Sequence, residues 1–156
     1  PTDAERAATA NVVGADLMIS LRFERHPSPA ANGVASFYFG SSHGSVSTIG
    51  RNLADFIQRE VPARTGLLDC RAHGRTWDLL RLTRMPSVQV DVGYITNVRD
   101  SHMLSTRECR DAIAEGILAA VKRLYLLGKN DRPTGTFTFA ELLAHEQTVE
   151  HGRPAV

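Results

Sequence analysis

Two strand-type runs, Ala15–Glu24 and Val88–Asn97, stand on either side of a long amphipathic pattern, and that alternation limits what the chain can fold into. Each run begins apolar and ends polar. In open α/β sheets, polar residues at strand ends are where chemistry is commonly kept. The pattern between them, Ser45–Val61, places Val46, Ile49, Leu53, Phe56, Ile57 and Val61 at helical spacing, and Pro62 is expected to end the helix.

The remaining segments fit the same scheme. Residues 4–14 read as a helix, with Asp3 as cap and Gly14 as stop, followed by a strand over 16–22. Arg25–Asn32, with Pro27 and Pro29, reads as a loop, and Gly33–Gly40 as a strand. A Gly- and Arg-containing segment leads to a short apolar piece, Trp77–Leu82. Residues 87–92 alternate Val88, Val90 and Val92 and read as a strand. Thr106–Leu126 is the longest helix, with a buried stripe of Cys109, Ile113, Ile117, Val121 and Leu124 and a cap at Gly128. Strands separated by helices predict an α/β fold: a three-layer domain with a mainly parallel central sheet flanked by helices.

Several function classes are disfavoured by composition. A net charge of +1 gives no electrostatic reason to expect nucleic acid as a partner. No apolar run approaches the roughly 20 residues of a transmembrane segment; the longest candidate, Ala112–Leu127, is interrupted by Glu115, Lys122 and Arg123. Cys70 and Cys109 are too few and too far apart for a disulfide framework or a zinc knuckle. Cys109 shares a helix face with Ile113 and is expected to be a buried thiol.

A family resemblance then emerges from the motifs. Arg6-Ala-Ala-Thr-Ala-Asn11, Ala15-Asp-Leu-Met-Ile-Ser-Leu21, Gly33-Val-Ala-Ser-Phe-Tyr38, Gly74–Leu82 with Met85-Pro86, Val90-Asp-Val-Gly-Tyr-Ile-Thr-Asn97 and Asp111-Ala-Ile-Ala114 follow one another in this order. Together they resemble zinc-dependent N-acetylmuramoyl-L-alanine amidases, which cleave the amide between the peptidoglycan sugar and its stem peptide. The resemblance covers roughly residues 3–126 and implies an amidase-type domain truncated at its N-terminus. Residues 1–128 are then its C-terminal portion and residues 129–156 a Thr-containing tail with a short helix, Ala140–Glu146. The whole pattern, tail included, is similar to an actinobacterial homologue in the family, which implies a native chain extending upstream of Pro1.

The resemblance also implies a site of two histidines and a glutamate on zinc, with a further glutamate as general base. Arg22 stands at a ligand-histidine position, and a guanidinium is always charged and has no lone pair for a metal. Asp91 stands at the general-base position, one methylene short. Upstream of Arg22 there is no histidine, and Glu5 is the lone glutamate. The expectation is therefore no zinc in this chain and a degenerate catalytic position at Asp91. Arg22 has two readings: a strand-end arginine with a carboxylate partner such as Glu24, or a guanidinium beside Asp91 that replaces the metal's charge. His26, His43 and His73 fall in expected loops and read as surface residues.

Two functions from different classes follow, with a third behind them, a peptidoglycan-binding domain that keeps substrate recognition without cleavage. One is a peptidoglycan amidase of cell-wall metabolism, with a peptidoglycan fragment or stem peptide as ligand. The other is a non-catalytic regulator of peptidoglycan synthesis. On that reading Thr134, Thr136 and Thr138, preceded by Arg132-Pro133, form a phosphoacceptor cluster for phosphothreonine-binding or wall-synthesis proteins. The same stretch also has a capping-box spacing, Thr138 to Glu141, before Leu142 and Leu143. The cytoplasm is the expected compartment, with the cell envelope the alternative if an export signal lies upstream.

Overall fold

A computed structural model describes residues 1–127; Gly128, Thr134, Thr136, Thr138 and the helix expected at 140–146 lie outside the described residues. In chain order the elements are α1 (Asp3–Val12), β1 (Met18–Glu24), β2 (Val34–Phe39), α2 (Thr48–Thr65), β3 (Asp69–Arg75), α3 (Asp78–Leu82), β4 (Ser87–Tyr94), α4 (Val98–Ser105) and α5 (Arg107–Leu127). The strands form one sheet in the order β1-β4-β2-β3. Two of its three pairings are parallel, β1 with β4 and β2 with β3, while β2 runs antiparallel to β4.

Each strand presents alternate residues to opposite faces. Val34 on β2 and Val88, Val90 and Val92 on β4 join Leu53, Ala54, Ile57 and Val61 of α2 and Ile113, Ala120 and Leu124 of α5 in the main core. Cys109 is buried there, as expected. Ala35 and Phe37 face the other way and pack with Leu80 of α3. Helix α1 lies against α3, where Asn11 accepts from the Arg84 amide and donates to the Leu82 carbonyl. Helices therefore cover both faces, giving the three layers.

Several boundaries differ from the expectation. The cap of α1 is Thr2, in a capping box with Glu5, and not Asp3. Pro62 does not end α2; it lies inside the helix, which runs on to a left-handed Gly66 cap. Proline removes one backbone donor, but the last turn is held by Gly66 N–H donating to the Pro62 carbonyl and Thr65 Oγ1 donating to Val61 O. Strand β3 and helix α4 had no periodic apolar signal. The first is an edge strand of largely polar residues, and α4 is capped by the Asn97 side chain.

The end of β4 is fixed by one buried carboxylate. Asp100 accepts from the backbone N–H of Gly33 at 2.7 Å and of Tyr94 at 3.0 Å, tying the start of β2 to the end of β4. Gly93 passes this group at φ 123°, a conformation that disfavours any side chain. A Cβ there would also meet Leu104 Cδ1 at 3.0 Å.

Candidate functional site

The register of the sheet builds the site. Arg22 pairs across β1–β4 with Asp91, which pairs across β4–β2 with Ala35. One step earlier, Ser20, Gln89, Phe37 and His73 form a second row. Both rows lie on the α1/α3 face. Above them is a cleft of about 350 Å³ lined by Asp3, Arg22, Glu24, Trp77, Gln89 and Asp91. The sequence-identified pair, Arg22 and Asp91, is thus brought together, with Asp91 in mid-strand.

Asp91 is 6% exposed and accepts from Gln89 Nε2 at 3.0 Å. Burial pushes its carboxyl up to about 6; the hydrogen bond from Gln89 opposes this, the nearby Glu24 charge adds to it, and Arg22 opposes it least of all. Arg22 is held elsewhere. Its Nη2 lies 2.9 Å from Glu24 Oε1, with the arginine side chain 44% exposed. This is the strand-end reading with a carboxylate partner. A guanidinium fixed on Asp91 is not formed.

Gln89 is buried, and its Oε1 has no hydrogen-bond partner. Buried polar atoms in folded proteins are nearly always paired, so this orphan is an exception among the described residues. Asp3 is tied to Arg6 at 3.5 Å, and Arg6 also bonds the Ser20 hydroxyl. Trp77, the N-cap of α3, stands 4.7 Å from the Phe37 ring, with the Arg75 guanidinium over both.

The histidines do not gather at the cleft. His26 Nδ1 accepts from the Ser28 amide, and its ring meets Tyr94 edge-on. His43 is exposed in a turn. His73 is a correction: it sits on β3, half-buried, stacked on Phe37 at 5.7 Å with Nε2 on the Cys70 carbonyl. Asp3, Trp77 and Gln89 were not identified from sequence. Gln89 had a visible signal, because Ser87, Gln89 and Asp91 interleave with three valines and so mark a polar strand face.

The fold and cleft define a three-layer α/β domain of the amidase type, with its acidic groups over the central strands. A family model described as N-acetylmuramoyl-L-alanine amidase matches residues 2–123, and the chain belongs to that family. Over 150 residues it is 83% identical to the N-acetylmuramoyl-L-alanine amidase CwlM of Mycobacterium tuberculosis, covering 96% of this chain and 37% of that protein. It is 28% identical over 113 residues to the amidase LytC of Bacillus subtilis, covering 72% of this chain and 22% of the relative. The chain thus spans well under half the length of either. The crystal structure of an N-acetylmuramoyl-L-alanine amidase from Clostridium difficile 630 shares the fold, with a TM-score of 0.73 at 23% identity over 83% of this chain and 68% of that one. The family resemblance, including that to an actinobacterial homologue, is borne out.

Zinc, the family's metal, needs lone-pair donors converging on one point. Here Arg22 brings a protonated guanidinium to the row that holds Asp91, and Glu24 is engaged by it. Among the described residues, no group of three or more His, Cys, Asp or Glu is placed to hold a metal ion. The donor set of the described residues does not fit zinc.

Proposed function

We propose that this is an N-acetylmuramoyl-L-alanine amidase-family domain of cell-wall metabolism whose hydrolytic centre is degenerate, leaving a cleft that binds without cleaving. The observation that carries this reading is the Arg22–Glu24 ion pair in the row beside Asp91. By the family resemblance Arg22 stands at a ligand position, where a guanidinium offers no lone pair, and Asp91 is one methylene short of the family's general base. A peptidoglycan fragment or stem peptide is the ligand the family suggests.

The reading is tested on the full-length protein by metal analysis and by release of stem peptide from cell-wall fragments. Substoichiometric zinc and no release are expected. Stoichiometric zinc with release would overturn the proposal. Arg22→His, which restores a ligand side chain, is expected to raise zinc uptake relative to the parent.

The regulatory reading is the second proposal, favoured by the threonine-rich run after Arg132-Pro133. It places the protein in the cytoplasm, with residues 129–156 acting as a modifiable tail beside the domain of residues 1–128. Phosphorylated Thr134, Thr136 or Thr138 would add charge that an arginine-lined partner recognises. Loss of partner binding on Thr136→Ala or Thr138→Ala, with the domain still folded, is the expected result. Unchanged binding on alanine substitution of each of Thr134, Thr136 and Thr138 would dismiss it.

A further inference from the structure

We draw no further inference here: the strongest candidate, the apolar shelf of Leu21, Phe23, Ile113 and Ala114 where β1, at the edge of the described sheet, meets α5, carries nothing because nothing in the structure shows what covers it.

Discussion

Asp91 concentrates the consequences of the site in a single side chain. Its carboxyl lies at about 6 in the fold against 3.8 for a free aspartate, chiefly because of burial. A folded value above the unfolded one means that the native state holds the proton more tightly. The associated stability is fully present below about pH 4, declines between about 4 and 6, and is gone above that window. If Asp91 acted alone, the loss would be on the order of 3 kcal/mol. Glu60 works in the opposite direction at lower pH. The Arg64 hydrogen bond, foremost, and the Arg123 charge hold its carboxyl below the usual value despite burial, so its contribution is lost as pH falls through that lowered value. Comparing Asp91→Asn with the parent by urea denaturation across pH isolates the first effect. The variant should flatten the decline between about pH 4 and 6 and be the more stable protein above it. An unchanged slope would place the titration on another group. Sequence alone named Asp91, Arg22 and the Glu24 partnership. It missed Gln89, Asp3 and Trp77, because their meeting depends on sheet register and on the seat of α1 and α3.

At the scale of elements, α2 and α5 pack closely against each other. Gly116 on α5 sits against Val61 on α2 so closely that a Cβ would stand 2.9 Å from Val61 Cγ2 and 3.0 Å from its Cα. Helix propensity favours Gly116→Ala by about 1 kcal/mol. Overpacking against a backbone atom that cannot swing away costs about 1–3 kcal/mol. The second effect should win, and a lowered urea midpoint with unchanged m-value is the expected reading. A raised midpoint would mean that the helices part without loss. Helix α5 was legible from its apolar stripe, whereas the close approach at Gly116 was not, since a glycine inside a helical pattern looks merely permissive. β3 shows the converse. Its residues lack alternation because one edge and much of one face meet solvent, so neighbours define it and not its own pattern.

The three-layer architecture was readable from the order of strands and helices, and the family from its motifs. The strand order was not. Nothing local in Val34–Phe39 says that it runs against Ser87–Tyr94, because pairing direction is decided by which helices must be accommodated on each face. Nor does any helix among the described residues have the length and apolarity to cross a membrane. What the sheet order does imply concerns synthesis. Among the described strands β4 comes last in sequence yet lies between β1 and β2, so β1 leaves the ribosome well before the neighbour it pairs with here. With β4 absent, the α2 core loses Val88, Val90 and Val92, and long-range pairing of this kind is slow and exposes apolar surface. A chain ending at Pro86 should accordingly bind a hydrophobic dye and melt without cooperativity, and the full chain should do neither; a sharp melt of the shorter chain would show that β2, β3 and α2 fold unaided. The strand that carries Asp91 and Gln89 is then also the one that supplies the neighbour of β1 in the described sheet.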